Sequence, residues 1–228
     1  MIIHYRHPWD VSYQEAVGWQ ERLSDELVLS GDTRGIRIVA GADVSYERRG
    51  LTFFAGVVVM DAGTLETIEE AYHIGPVSFP YIPGLLSFRE GPVMLAAFEK
   101  LSTVPDAVIF DGQGIAYPRG LGLAAHMGIL LGIPTVGSAK TRLVGEYGDV
   151  GNERGSDTAL IHNGRKVGYV VRSKEGTTPI FVSPGHLISA EAAVELVLTC
   201  TRRYRIPEPV RRAHILVNRL RKESQIKQ

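Results

Sequence analysis

The chain has 228 residues, 44% of them hydrophobic and 22% charged, with 25 basic and 25 acidic side chains and one cysteine, Cys200. A chain of this length and composition buries a full core, which excludes a disordered polypeptide and a disulfide-stapled scaffold. A net charge of zero argues against a general polyanion binder, and a lone thiol fits a reducing compartment.

The first residues hold no apolar signal core, and no apolar run approaches the roughly 20 residues of a spanning helix. The longest candidate, residues 121–133, is broken by Gly122, His126, Gly128 and Gly132. A cytoplasmic protein with no membrane contact is expected. Charge is unevenly spread: residues 199–228 carry +7, with nine basic side chains from Arg202 to Lys227, and the first 198 residues carry −7. An acidic body with a basic end can bring a phosphate backbone to carboxylates. A solvated basic helix face accounts for the same count.

In chain order, residues 11–30 are expected to form a helix, from the spacing of Val17, Leu23, Leu27 and Val28. Strands follow over 36–46, 51–60 and 64–74, joined by short turns as an antiparallel meander. Residues 76–84 carry three prolines, and 87–101 is a helix candidate. Residues 106–111 read as an apolar strand buried on both faces. A glycine-rich loop at 112–120, a helix at 121–131 and a strand at 133–136 complete a crossover that favours parallel pairing. Further strands are expected in 155–172 and 178–183, then helices near 189–203 and 208–222. Pro207 and Pro209 separate these two helices at positions suited to a helix start. The fold class is α/β: a mixed sheet, an antiparallel meander followed by parallel strands, flanked by helices in one domain.

Three acids sit where chemistry could use them. Asp43 lies late in the first strand, Asp111 ends the fourth, and Glu90 starts the helix between them. If strands one and four are neighbours, Asp43 and Asp111 come side by side, and like charges so close call for a cation. Oxygen ligands suit Mg²⁺ or Mn²⁺. Each acid also has a structural reading: Asp43 as a turn cap, Asp111-Gly112 as a turn pair, and Glu90 as the partner of Ser87 in a capping box. Pro92 opposes that last reading, since a helix capped at Ser87 needs the N–H that proline lacks. Lys140, after the fifth strand, could neutralise a phosphate. His214 lies on the stripe Val210, Ala213, Val217 and Leu220 and is expected to point inward. Pro80-Tyr81-Ile82-Pro83-Gly84 is a stiff loop with an aromatic near its tip, either a packed turn or a wedge entering a base stack.

Taken together, these segments resemble endonuclease V, the deoxyinosine-directed nuclease family. The matching stretches are Gly41-Ala42-Asp43-Val44-Ser45-Tyr46, Pro80 through Glu90, Asp111-Gly112-Gln113-Gly114-Ile115-Ala116-Tyr117-Pro118-Arg119-Gly120, Gly137-Ser138-Ala139-Lys140, Phe181 through His186, and Pro207 through His214. They span residues 41–214 in family order. The resemblance implies an RNase H-like fold and Mg²⁺-dependent hydrolysis, with Mn²⁺ as substitute. The implied cut falls at the second phosphodiester bond 3′ of deoxyinosine in DNA and leaves 3′-hydroxyl and 5′-phosphate ends.

By position, Asp43, Glu90 and Asp111 match the family's metal-site acids, Lys140 its active-site lysine and His214 its helix histidine. Tyr81 matches the wedge aromatic, within Pro80, Ile82, Pro83 and Gly84. Gly112, Gln113, Gly114, Ile115 and Leu143 lie where the family builds its base pocket. One departure stands out: the family usually reads Ala-His-Pro-Arg where this chain has Ala116-Tyr117-Pro118-Arg119. A phenol cannot replace a near-neutral imidazole as acid, base or ligand. With the three acids and Lys140 present, nuclease activity is expected to survive in a monomeric enzyme. A ribonuclease for inosine-containing RNA and a lesion-binding protein that no longer cuts remain open as alternatives.

Overall fold

The computed structural model describes residues 1–47 and 51–226, so Lys227, counted in the basic tail, lies outside the described residues. Its elements in chain order are α1 (Tyr13–Asp25), β1 (Ile38–Tyr46), β2 (Thr52–Asp61), β3 (Thr67–Pro76), α2 (Leu86–Phe98), β4 (Ala107–Phe110) and α3 (Leu123–Leu131). They continue as β5 (Thr135–Ala139), β6 (Asp157–His162), β7 (Arg165–Val171), β8 (Ile180–His186), α4 (Ala190–Thr199) and α5 (Glu208–Ile226). The strands form one eight-stranded sheet in the order β3-β2-β1-β4-β5-β8-β7-β6. The expected meander is present as β1-β2-β3, and β1 does neighbour β4. Parallel pairing is confined to β1-β4-β5: β8 joins β5 antiparallel, and β8, β7 and β6 pair antiparallel in turn.

Residues alternate between the two faces of β1, as a pleated strand requires. Val39 packs with Val58, Ile109, Val210, Ala213 and Val217 under α5, whereas Ala40 and Ala42 pack with Val57, Phe110, Met94 and Met127 under α2 and α3. Each fully buried Val, Ile, Phe or Met among these contributes about 1.5–3 kcal/mol. Gly41 falls on the α5 face and sets that helix's height: a Cβ there would lie 2.0 Å from the Pro209 carbonyl carbon. Among the described residues, no helix is long and apolar enough to cross a membrane.

Three local expectations change. The first helix stops at Asp25, not near residue 30, because the following segment turns to pair with the end of β8: Leu187 N–H donates to the Val28 carbonyl at 2.6 Å. Its start is fixed by a capping box, Ser12 with Glu15. Helix α2 begins at Leu86 and keeps Pro92 inside it. Ser87 therefore caps nothing; burial of Phe88, Val93, Met94 and Phe98 holds the helix despite the missing N–H. Strand β5 runs to Ala139, farther than position 136, and so delivers Lys140 beside the end of β4.

Candidate active site

Asp43 and Asp111 lie side by side at the carboxyl ends of β1 and β4. Ala42 pairs with Phe110, and Asp111 N–H continues the ladder by donating to the Ala42 carbonyl at 3.0 Å. Helix α5 supplies the third group from one face of the sheet. From the Gly41–Pro209 contact, two residues along β1 advance about 6.6 Å and five along α5 about 7.5 Å. That near-match brings His214 to Asp43, and the next step brings Asn218 to Ser45 at 3.4 Å. The ligand atoms of Asp43, Asp111 and His214 all lie within 4.8 Å of one another.

His214 is thus not the inward-pointing residue expected. Val210, Ala213, Leu216, Val217 and Leu220 form the buried stripe, and His214, at its border, turns to the cleft with its side chain about half exposed. Its Nδ1 meets Asp43 Oδ2 at 2.8 Å and its Nε2 meets Asn218 Nδ2 at 3.1 Å. Arg221 Nη2 donates to Asn218 Oδ1 at 2.9 Å, which fixes the amide, so Asn218 Nδ2 donates to His214 and the ring carries its proton on Nδ1. The hydrogen bond to Asp43 holds the His214 pKa above the ordinary range.

Glu90 approaches the same strand ends from α2, on the opposite face. It is buried, stands outside the tight trio, and makes no hydrogen bond among the described residues. Burial first, then the charges of Asp43 and Asp111, push its pKa up to about 8. Burial raises Asp43 too, with the His214 hydrogen bond opposing and Asp111 adding to the rise. Lys140 forms an ion pair with Asp111. These are the marks of a site short of positive charge. Three carboxylates and one imidazole fit a hard divalent cation: Asp43 and Asp111 are placed to hold it, and His214 would join them once its Nδ1 gives up the proton shared with Asp43. The basic tail divides: Arg221 lines this cleft of about 410 Å³, whereas Arg211 and Arg212 are paired with Glu208.

Beyond Asp111 lies a second cavity of about 300 Å³, bordered by Gly112, Gln113, Tyr117, Lys140 and Leu143. Gln113 is buried, and its Nε2 donates to the Thr141 carbonyl at 3.1 Å. Gly114 and Ile115 border it on neither side. Gly114 N–H donates to Ser183 Oγ at 2.8 Å, and a Cβ there would strike the Pro184 carbonyl oxygen at 2.1 Å. Ile115 N–H donates to that carbonyl at 2.9 Å, and its side chain packs with Leu23 and Leu121. These two residues bolt the glycine loop to β8. Tyr117 is buried, which raises its phenol pKa.

The Pro80–Gly84 loop stands over this region with Tyr81 71% exposed, while Ile82 packs toward Phe79, Leu85 and Phe88. Its hinge is Gly84, at φ +84°, whose carbonyl accepts from Gln20 Nε2 at 2.9 Å and Arg119 Nη2 at 2.6 Å. Arg119 Nε also donates to Gln20 Oε1 at 2.6 Å. Sequence reasoning missed Gln20, Asn218 and Ser183. Of these, Gln20 left a signal: a polar side chain on the buried face of α1, one turn before Leu23.

The family model described as Endonuclease V matches residues 21–215. Endonuclease V of Myxococcus xanthus is 49% identical over 216 residues, 94% of this chain and 92% of the relative. That of Kosmotoga olearia is 47% identical over 224 residues, 97% and 98% of the two chains. The crystal structure of Endonuclease V from Streptomyces avermitilis superposes with a TM-score of 0.91 at 42% identity, covering 95% of this chain and 96% of that one. Ciona intestinalis Endonuclease V, in complex with a 23mer DNA containing an inosine followed by a ribo-adenosine, gives 0.80 at 25% identity, with 93% and 99% covered. Relatedness of this depth, running nearly end to end in each partner, leaves one conclusion: the chain belongs to the endonuclease V family.

Proposed function

We propose that this chain is a divalent-metal-dependent DNA repair endonuclease that recognises deoxyinosine and hydrolyses the second phosphodiester bond on its 3′ side, leaving 3′-hydroxyl and 5′-phosphate ends. The observation that carries this is the convergence of Asp43, Asp111 and His214 within 4.8 Å, beside a cavity that begins at Asp111. Mg²⁺, or Mn²⁺ in its place, would supply Lewis-acid polarisation of a phosphate oxygen and a more acidic water.

The chain's own groups do the rest. Asp43 and Asp111 would hold the cation, and His214, steadied by Asn218, keeps Asp43 aimed. Buried Glu90 is placed to hold or release a proton near neutral pH. Lys140 keeps a positive charge at Asp111, where negative charge develops as the leaving 3′-oxygen departs. Tyr81 fills the gap left by an extruded base, and the cavity bordered by Gln113 and Tyr117 takes that base. We read the enzyme as a cytoplasmic monomer of one domain, which the buried, unpaired Cys200 suits.

Cleavage of end-labelled duplexes carrying one deoxyinosine or one inosine, in Mg²⁺ and in chelator, tests the reading. A metal-dependent cut one nucleotide beyond deoxyinosine, lost in Asp43→Ala, is expected. Faster cutting of the RNA substrate would favour the ribonuclease reading, to which the ribo-adenosine in the Ciona complex lends support. Tight binding without any cut would overturn catalysis and leave a lesion binder.

A further inference from the structure

Three cavities run in series. The acid cleft shares Asp111 with the cavity of about 300 Å³, and that cavity shares Tyr117 with a third of about 590 Å³. Tyr117 is the partition: one part of its surface borders the second cavity and another the third. The third lies between the end of α1, the Tyr117–Gly120 segment and the tip of the β6–β7 hairpin. Its volume lies within the roughly 300–1,000 Å³ of ordinary ligand sites.

The shared walls put the three cavities in an order, and the proposed function gives that order a strand polarity. On the proposed function, the base sits in the middle cavity and the scissile phosphate, 3′ of it, at the acids. A strand leaving the middle cavity the other way, past Tyr117, is the 5′ side. We propose that the third cavity seats the sugar-phosphate backbone of the lesion-bearing strand immediately 5′ of the lesion, with Arg165 as its phosphate contact. This rests on the reading given above.

The charges lining that cavity support the assignment. Arg119, Arg165 and Lys166 border it, against one acid, Asp25. Arg119 is committed to Gln20 and the Gly84 carbonyl, and Lys166 to Glu191 and Tyr169. Arg165 makes no ion pair or side-chain hydrogen bond among the described residues and is exposed. Its mounting is rigid. His162 and Arg165 are the last pair of the β6–β7 ladder, closed by Asn163 at φ +51° and Gly164 at φ +73°. Two successive left-handed residues with the sequence Asn-Gly make a tight type I′ turn, which fixes the Arg165 backbone at the rim without a long floppy loop.

The test is binding, followed by fluorescence anisotropy in chelator so that nothing is cut. The probes are duplexes with one deoxyinosine and one neutral methylphosphonate linkage, moved stepwise from the third linkage 5′ of the lesion to the third 3′. For the parent, a neutral linkage at one or two positions 5′ of the lesion is expected to weaken binding roughly tenfold, as loss of a charge-assisted hydrogen bond does. Arg165→Glu should abolish that 5′ sensitivity while leaving the 3′ sensitivity, and Arg165→Lys should retain part of it. The slope of log affinity against log salt should fall by about one in Arg165→Ala. Neutral 5′ linkages that bind like unmodified ones, or an Arg165→Glu protein that loses the 3′ sensitivity instead, would overturn the proposal. A matched adenine duplex separates the two levels: failure to prefer deoxyinosine counts against the proposed function, whereas preference kept with no 5′ effect counts against this track alone.

Discussion

Ser87 and Glu90 lie one turn apart on α2, and the polar clusters they join treat burial in opposite ways. Behind the helix, Ser87 Oγ meets His126 Nδ1 at 2.8 Å, His126 Nε2 meets His7 Nε2 at 2.7 Å, and His7 Nδ1 meets the Pro8 carbonyl at 2.7 Å. A carbonyl only accepts, so His7 carries its proton on Nδ1 and the chain resolves without charge: Ser87 donates to His126, His126 to His7, and His7 to Pro8. Trp9, Trp19 and Phe88 pack around the His7 ring. Glu90, one turn on, makes no hydrogen bond among the described residues and lies close to the carboxylates of Asp43 and Asp111. Buried polar groups that satisfy one another cement a fold, whereas buried groups left wanting mark where a ligand is to come.

The largest effect that sharpens this contrast comes from Glu90→Gln. Removing the acid should cut turnover at least about a hundredfold, as loss of a positioned proton-transfer or electrostatic group does. In chelator it should also stabilise the protein, and only at high pH. A glutamate that releases its proton near 4.5 when unfolded and at about 8 when folded costs nothing below the lower value. Its penalty grows as pH rises between the two. Thermal melts in chelator should place the variant level with the parent at pH 5 and above it at pH 8.5. A variant that melts below the parent at pH 8.5 would break the contrast.

The histidine chain should give the reverse pH response, of intermediate size. Burial holds both His7 and His126 below the ordinary imidazole pKa, so the unfolded state takes up protons first as pH falls. Stability present above about 6.5 is therefore lost on acidification, at up to about 1.4 kcal/mol per pH unit for each site. Urea unfolding at pH 7.5 and 5.0 should show this fall in the parent and a shallower one in His126→Leu. At pH 7.5 that variant should start about 1–3 kcal/mol less stable, with Ser87 and His7 left unpaired.

The smallest effect belongs to Tyr117→His. Tyr117 is a wall and not a member of the acid trio, so restoring the family's usual residue should change kcat/KM on a deoxyinosine duplex by less than about tenfold. An inactive parent revived by histidine would show that the site needs an imidazole there.

The acid pair was legible because it depends on coarse features: two strands, their neighbourhood, and an acid at the end of each. Helix α5 was legible as an element, yet His214 was turned the wrong way. It sits on the border of the apolar stripe, and periodicity alone cannot say whether a border residue faces the core or a cleft. Contact between Pro209 and Gly41 decides that, and it joins positions far apart in the chain. The Ser87–Glu90 capping pattern, which Pro92 already opposed, gave way to tertiary partners that draw the two side chains into different clusters. The strands within 155–172 were expected, but only the fold shows the Asn163-Gly164 turn between them and brings it to the cavity behind Tyr117.

The bare Cα of Gly41 has a consequence for how tolerance to change is distributed in this enzyme. The residue lies two positions before Asp43, and the helix bearing His214 rests on its missing side chain. A single methyl group there must lift α5 off the sheet, and a shift of about 1 Å in catalytic geometry can cost a hundredfold in rate. Such a protein would fold and could hold its cation loosely, and it would be mistaken for one damaged in its chemistry. At that point of the molecule the spacing of two backbones is itself a catalytic parameter.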